Sequence, residues 1–409
     1  LEDPVKVLYF HQHFVTPKGA GAIRSFAMAR KLIEWGHSVT MVCGSNVTGT
    51  TGLDGPFSSG KRRGVVDGID VIELDLAYSN NDGFLKRAWT FFLFAMRSVR
   101  IALTGKYDLV FATTTPLTAG IPGIFARWLR GKPFVFEVRD LWPELPREMG
   151  VISNPAVLWA MRVLEWASYR SANRLIGLSP GIVAGIKKRG VLSDKIAMLP
   201  NGCDLDIFTE DAKPWRPESV ASSDLMAVFA GTHGVANGLD AVLDAAAELR
   251  KRGREDIKLV LIGNGKLKSA LQARAEREGL SNVVFHEPVK KTELAGLMRA
   301  TNLGMQILDN VPAFYYGTSP NKFFDYIAAG LPVLNNYPGW LAEMIEQEQC
   351  GYVVPPADPV AFADALEKAA GERELLPVMG QRARALATKE FDRDKMAREW
   401  VDWVTGVAR

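Results

Sequence analysis

Cysteine is scarce. Cys43, Cys203 and Cys350 lie far apart and are odd in number, which excludes a disulfide framework and a structural zinc cluster and points to a reducing compartment. Histidine is almost as rare. Of five, only His11 and His13 are close together, and neither has a cysteine or carboxylate beside it, so no metal site is expected. Long apolar runs are missing too. In the most aromatic segment the uncharged stretch, residues 88–96, falls far short of the ~20 residues of a membrane span. The first residues, Leu-Glu-Asp-Pro-Val-Lys, show no basic segment leading into an apolar core and a small-residue cleavage site. A secretory signal is therefore not expected, and the cytoplasm is the expected compartment.

What remains is an ordinary globular balance, 47% hydrophobic and 23% charged over 409 residues. It excludes a disordered chain, a collagen-like fibre and a polytopic membrane protein, and the length favours two domains. Net charge is only +3 but unevenly spread: residues 1–200 hold 25 Lys and Arg against 16 Asp and Glu, and residues 201–409 hold 24 against 30. Either the first half meets something anionic or two domain surfaces simply differ.

The chain alternates between strand and helix patterns. Residues 5–10, 37–44, 69–74, 109–113, 134–138, 175–179 and 196–199 read as strands, and a helix from about 22 to 35 is stopped by Gly36 as a left-handed C-cap. Residues 209–224, with two prolines and few aliphatics, read as a linker. The alternation then restarts, with strands at 227–230, 258–262, 283–286, 304–308, 332–335 and 352–354. Helices are expected at 241–251, 267–278, 322–329, 359–369 and 395–407. Short apolar runs between helices predict parallel strands covered on both faces. The expected fold class is α/β, with two doubly wound Rossmann-like domains at 1–208 and 226–390, a linker at 209–225, and a helix in 391–409 packing back on the first. Ligands in such sheets sit beyond the carboxyl ends of the strands, so two facing domains would share a central cleft.

Several strand ends carry residues suited to chemistry. The first runs into a loop with Gly19 and Gly21, then Arg24. The glycines permit close backbone approach at a helix N-terminus, which attracts anions. Gly-Ala-Gly lacks the third glycine of the dinucleotide fingerprint, and a tight turn explains it as well. Two more glycine turns follow, Gly231-Thr232-His233-Gly234 with Asn237 beyond, and Gly263-Asn264-Gly265 with Lys266. Each alone reads equally as a structural turn; together they favour a phosphorylated ligand. Further on, Ser319, Pro320 and Asn321 look like a helix start with amides available to a diphosphate. Lys322 adds a point charge, and Asp325, nearly one turn on, faces the same way and suits ribose hydroxyls. A capped helix with a solvated Lys–Asp pair is the plain alternative. Past the apolar run at 134–138 stand Arg139, Asp140, Trp142 and Glu144. Carboxylates bind sugar hydroxyls and an indole stacks on a sugar ring, although a structural Arg–Asp pair would look the same. Asp204-Leu205-Asp206 spells a DxD but follows the turn Pro200-Asn201-Gly202-Cys203 and reads as a chance match.

Residues 84–104 place Lys86, Arg87, Thr90, Arg97, Arg100 and Thr104 on one helical stripe. Trp89, Phe91, Phe92, Phe94, Ala95 and Met96 cover most of the remainder. A basic amphipathic helix lying against an anionic membrane and a helix buried in the domain core both fit.

Together these motifs resemble the retaining GT-B glycosyltransferases of glycosyltransferase family 4, over essentially the whole chain. The marks are Gly36-His37-Ser38-Val39, Pro200-Asn201-Gly202-Cys203-Asp204 with Phe208, the glycine turns at 229–231 and 262–265, and Ala328-Ala329-Gly330-Leu331-Pro332-Val333. In closer detail, Asp140-Leu141-Trp142-Pro143-Glu144 and residues 319–322 are similar to bacterial envelope transferases of the O-antigen and capsule type, including acetamido-fucose transferases. The resemblance implies a UDP-sugar donor, no cofactor, no metal and no nucleic acid. The base would meet Pro288 and Val289, the ribose Asp325, and the diphosphate Lys322, Lys266 and backbone amides near Thr232, His233 and Asn237. A polyprenyl-diphosphate-linked or saccharide acceptor would be placed by Arg24, Arg139, Asp140, Trp142 and Glu144, with the protein peripheral on the inner face of the cytoplasmic membrane. The chain departs from the family at Gly317, where the first carboxylate of the two-glutamate motif is missing. It departs again at Thr232 and Asn237, which replace the usual Arg and Lys, and at Arg139, which stands for a histidine. A UDP-sugar 2-epimerase and a non-catalytic sugar-nucleotide binder share the expected fold and stay open; the epimerase relies on paired carboxylates and histidines, and His233 has no evident carboxylate neighbour.

Overall fold

The computed structural model describes residues 3–19, 23–46, 50–79 and 82–408. The chain divides into two compact units, the first mainly Leu1–Pro200 with Asp394–Arg409, the second mainly Asn201–Tyr316 with Pro320–Arg393. The first unit runs β1 (Lys6–Phe10), α1 (Arg24–Glu34), β2 (Ser38–Asn46), β3 (Lys61–Val66), β4 (Ile69–Tyr78), α2 (Phe84–Thr104), β5 (Leu109–Thr113), α3 (Ile121–Arg130), β6 (Phe134–Val138), α4 (Glu144–Glu148), α5 (Pro155–Ser171), β7 (Arg174–Gly177), α6 (Pro180–Lys188) and β8 (Ile196–Met198). Its sheet has the order β3-β4-β2-β1-β5-β6-β7-β8. Every neighbouring pair is parallel except β3 with β4.

Strands β5 and β6 are buried at every residue, because helices cover both faces of a parallel sheet. That burial is why they are continuous apolar runs, and their expected limits match to the residue. Strand β3 was not expected. It lies at the sheet edge, alternates exposed with half-buried residues, and reads Lys-Arg-Arg-Gly-Val-Val, with no apolar run to mark it. Its signal is the turn that joins it to β4, Asp67-Gly68, both at positive φ, the hairpin chemistry of an Asp-Gly pair.

The second unit runs β9 (Leu225–Ala230), α7 (Asp240–Lys251), β10 (Ile257–Ile262), α8 (Lys268–Arg277), β11 (Val283–His286), α9 (Lys291–Ala300), β12 (Leu303–Gln306), α10 (Pro312–Gly317), α11 (Asn321–Ala328), β13 (Val333–Asn335), α12 (Trp340–Gln347), β14 (Gly351–Val353), α13 (Pro359–Gly371) and α14 (Leu376–Glu390). Its six strands are all parallel, ordered β11-β10-β9-β12-β13-β14. The strand order reverses at β1/β5 in the first sheet and at β9/β12 in the second, the positions where doubly wound sheets bind ligands. The stretch read as a linker packs on α9 rather than running free: the Trp215 indole donates to Glu293 O at 2.7 Å and Arg299 to Ala212 O at 2.9 Å.

The last helix, α15 (Arg393–Thr405), supplies Ala397, Trp400, Val401 and Val404 to the core of the first unit. The Trp400 ring lies edge-on to Phe111 at 4.8 Å and stacks on Tyr9 at 6.1 Å. Its indole N–H donates to the Glu137 carboxylate at 3.3 Å. That same carboxylate, buried inside β6, accepts from Arg24 Nη2 at 2.9 Å and from Thr113 Oγ1 at 2.8 Å. Arg24 in turn donates to Leu199 O at 2.9 Å and Pro200 O at 2.6 Å. Burial alone would raise the Glu137 carboxyl, but Arg24 and Arg139 with these hydrogen bonds hold it down at about 2.

A carboxyl depressed in the folded state stabilises the fold above its ordinary range, and that contribution disappears as pH falls through the folded value. Acid titration should therefore show loss of stability from about pH 4.5 down to about 2. Replacing Glu137 by Ala should strand two guanidinium groups and cost about 3–5 kcal/mol in urea unfolding at neutral pH, with the acid-dependent part removed.

Candidate functional site

In the second unit two glycine turns at the ends of β9 and β10 extend the parallel pairing beyond the strands. Gly231 N donates to Ile262 O at 2.9 Å, His233 N to Asn264 O at 3.0 Å, and Leu267 N to His233 O at 3.0 Å. Gly263 has φ +145°, and a Cβ there would sit 1.9 Å from Gly231 O. Gly265 has φ +159° and would approach His233 O to 2.5 Å. These glycines let one turn pack on the other. His233 is buried between them, and among the described residues neither ring nitrogen has a partner. Burial and then Lys268 lower its pKa to about 4, so the ring is neutral at physiological pH.

Lysine placement differs from expectation. Lys266 is exposed, whereas Lys268, at the start of α8, is buried and reaches back over the strand ends. Its Nζ donates to Gly263 O at 2.9 Å, His286 O at 3.3 Å and Glu287 Oε1 at 2.6 Å. Spacing at a helix start does not reveal which of two nearby lysines turns inward. Pro288 is exposed, and Val289 is half-buried against the apolar cluster around Val260 and Ile262.

Thr232, Asn237 and Lys322 do come together. Asn237 Nδ2 donates to Thr232 O at 2.7 Å, and Lys322 Nζ donates to Asn237 Oδ1 at 2.8 Å. The Lys322 ammonium also lies 4.8 Å from the centroid of Phe229, beside the end of β9. Burial lowers its pKa to about 7. Behind it Tyr326 bridges the switch point, accepting from Ala230 N at 3.0 Å and donating to Met305 O at 3.2 Å. Helix α11 opens at Asn321 after its N-cap Pro320, whose side chain makes no capping hydrogen bond, and half-buried Ser319 precedes them. Asp325 does not share the surroundings of Lys322. It pairs with Lys291 at 3.1 Å, and burial raises its carboxyl despite that partner. Lys291 also meets Asp204, which is buried and bound to Arg393. The DxD aspartate Asp204 is thus the anchor of an internal ion-pair network, while Asp206 is exposed.

In the first unit Arg24, expected at an acceptor, is buried and held by Glu137, Leu199 and Pro200, so none of its fork faces outward. The length of an arginine lets a residue at a helix start reach the core instead of a ligand. Arg139 follows β6 and is held across three elements, by Thr113 Oγ1 at 2.9 Å, Glu137 Oε1 at 3.2 Å and Ser25 Oγ at 2.9 Å. Asp140 accepts from Thr115 Oγ1 at 3.2 Å, and burial raises its carboxyl. Glu144 is engaged by Arg189, which also holds Glu165 at 2.9 Å; Trp142 is half-buried. Gly19 closes a turn to Thr16 O at 3.0 Å, and Gly21 lies outside the described residues.

Sequence reasoning passed over the group that follows β1. His11 and Gln12 are buried. Among the described residues His11 Nδ1 and both Gln12 amide atoms have no hydrogen-bond partner. Burial, with Arg139 next, keeps His11 well below its usual value and His13 at about 4. Two neutral imidazoles and a free amide thus stand at the strand end nearest the switch point. The rule that picked out Arg139, a polar residue just past a buried strand, applies to them equally.

Comparison with known proteins adds the lineage. Residues 19–202 match the family model described as Glycosyl transferase 4-like domain, and residues 225–371 match Glycosyl transferases group 1. The chain belongs to these glycosyltransferases. Within the family it is similar to the O-antigen chain mannosyltransferase C of Escherichia coli, 24% identical over 62% of this chain and 66% of that one; the aligned part thus spans just under two thirds of that relative. Among solved structures, the sucrose-phosphate synthase of Thermosynechococcus elongatus superposes with TM-score 0.75 at 16% identity, covering 98% of this chain and 99% of that one. The Anabaena protein HepE, solved with UDP and glucose, gives 0.68 at 15% identity, covering 98% and 100%. Both share its fold, two parallel-sheet α/β domains of the GT-B type. In this glycosyltransferase the paired glycine turns are a packing requirement, so Gly263→Ala should lower stability by at least about 3 kcal/mol in urea unfolding, through overpacking and a strained φ.

Proposed function

We propose that this glycosyltransferase moves a sugar, an N-acetylated hexosamine or deoxyhexosamine, from a UDP-sugar to a saccharide or polyprenyl-diphosphate-linked acceptor in bacterial envelope polysaccharide synthesis. Transfer proceeds with retention and without a metal. The observation that carries the reading is Lys322, a half-buried cation beside the β9/β12 switch point and in the first turn of α11. A lysine kept near neutrality by desolvation gains its proton fully when an anion arrives, so it suits a diphosphate better than a permanent charge left without a counter-ion. The similarity to an O-antigen transferase and to a protein solved with UDP supports the acceptor class and the base.

Lys322 and the α11 amides neutralise the departing diphosphate, where electrostatic stabilisation contributes most. Asp325 takes the ribose hydroxyls, and Pro288 and Val289 border the base. On the first unit Arg139 and Asp140 orient the acceptor, with Trp142 against its ring, and the neutral His11 and His13 accept hydrogen bonds from its hydroxyls. The enzyme works in the cytoplasm, next to its lipid-linked acceptor.

Two measurements test this. A panel of UDP-sugars and GDP-sugars, with and without a prenyl-diphosphate-linked sugar, should release nucleotide only from a UDP-sugar and only with acceptor. Conversion of the sugar nucleotide without acceptor would indicate an epimerase, and no release from any pair would leave a binder. The second measurement is affinity for a UDP-sugar, whose diphosphate diester does not titrate near neutrality. Binding should be strongest below the Lys322 value of about 7 and weaken about tenfold per pH unit above it, until the raised bound-state value is reached. Lys322→Gln should bind weakly, remain flat with pH and turn over at least about tenfold more slowly. A wild-type affinity that does not change across neutrality refutes the role of Lys322.

A further inference from the structure

Helix α2 is packed the opposite way round from a core helix. Its buried face carries Thr90, Phe94, Ala95, Ser98 and Ala102, mostly small or hydroxylated residues, and the Ser98 hydroxyl is buried without a partner among the described residues. Leu85, Trp89, Phe92 and Met96, at intervals of four, three and four, form an exposed stripe on the other side. Two neighbouring helices repeat the pattern. Helix α3, which packs against α2, exposes Phe125, Trp128 and Leu129. Helix α5, which packs against α3, exposes Trp159, Val163 and Trp166 along a single stripe. The four indoles are 59%, 65%, 67% and 60% exposed in chain order. Solitary exposed apolar residues are unremarkable, whereas a face shared by three adjacent helices marks a binding surface.

The charge around this face selects its occupant. The three helices carry eight Lys and Arg and one acidic residue, Glu165, which is buried and paired with Arg189. Exposed indoles among basic side chains match the interface of an anionic bilayer, where the ring sits at headgroup level and the cations meet lipid phosphates. No described helix is long and apolar enough to cross a membrane, so this contact lies in the plane of the bilayer. The surface also adjoins the polar group after β1: Phe91 of α2 stacks on Tyr78 at 5.5 Å, and Tyr78 meets His13 at 4.5 Å.

We infer that α2, α3 and α5 form one docking surface for an anionic lipid bilayer, built on Trp89, Trp128, Trp159 and Trp166. Its extent goes beyond the single basic helix that the sequence suggests, and it does not depend on the transfer reaction.

The test is sedimentation of the full chain with vesicles of phosphatidylcholine containing one-third phosphatidylglycerol, against phosphatidylcholine alone, with no sugar nucleotide present. The protein should partition onto the mixed vesicles at least about tenfold more strongly, and high salt should weaken binding. Trp128→Ser with Trp159→Ser and Trp166→Ser should lose most of the binding. Arg162→Glu with Arg170→Glu, which leaves every indole in place, should lose the preference for anionic lipid. Thermal melting and circular dichroism of each variant establish that it is folded. Wild-type protein that stays off the mixed vesicles overturns the inference, as do folded variants that bind as wild type. Concentration-dependent dimerisation that the indole substitutions abolish, without vesicle binding, assigns the face to a second copy and overturns it too. Since no nucleotide is used, failure here leaves the transfer reaction to be judged on its own measurements.

Discussion

The first unit is organised around one buried carboxylate. Glu137 sits in the middle of a strand covered on both sides, where an unpartnered charge would cost several kcal/mol. It stays ionised because Arg24 from α1, Arg139 from the end of its own strand, Thr113 from β5 and Trp400 from α15 all donate to it. Each partner fixes something else. Arg24 fastens the chain leaving β8, and Arg139 is aimed along the strand ends with Ser25 behind it. The orientation of the candidate acceptor residues thus follows from how a core charge is satisfied, and core and site are not separable here.

The second unit solves a different problem, how to bring two turns close enough to pack backbone on backbone. Backbone contact between Gly231 and Gly263 leaves no room for side chains. Lys268 gathers the carbonyls that the strands leave behind, and Tyr326 closes the gap where neighbouring strands diverge. Lys322 then stands against Phe229 in partial burial, and its low proton affinity follows from that enclosure. Asn237 accepts a hydrogen bond from Lys322, where a cation would repel it.

Much of this was legible in the chain, for a physical reason. Strands buried on both faces must be continuously apolar, so β5 and β6 are placed to the residue and the α/β class with them. Edge strand β3 has one solvated face and carried only its Asp-Gly turn. Periodicity sets a basic stripe of α2 apart from an aromatic remainder, yet the buried face takes Thr90 from the first and Phe94 and Ala95 from the second, because what turns inward depends on what the neighbouring elements leave to be filled. In the candidate site, Arg139 and Asp140 stand just past β6 as the topology requires, and Asn237 and Lys322 meet across a glycine turn and a helix start. Where a long side chain chooses between core and solvent, sequence was silent. Arg24 went inward, Lys268 rather than Lys266 turned toward the strands, and Asp325 met Lys291, which lies 34 positions earlier in the chain.

The return of α15 to the first unit also affects synthesis. Trp400 fills a slot lined by Tyr9, Phe111 and Glu137, residues that leave the ribosome long before it does. At about 5–20 residues per second, roughly thirteen to fifty-three seconds pass between Glu137 and Trp400, while the whole second unit is made. During that interval the nascent first sheet has an open seam and a buried acid missing one of its donors. The domain that emerges first is therefore the one completed last, and an arrested or truncated chain would expose that seam to the chaperone machinery.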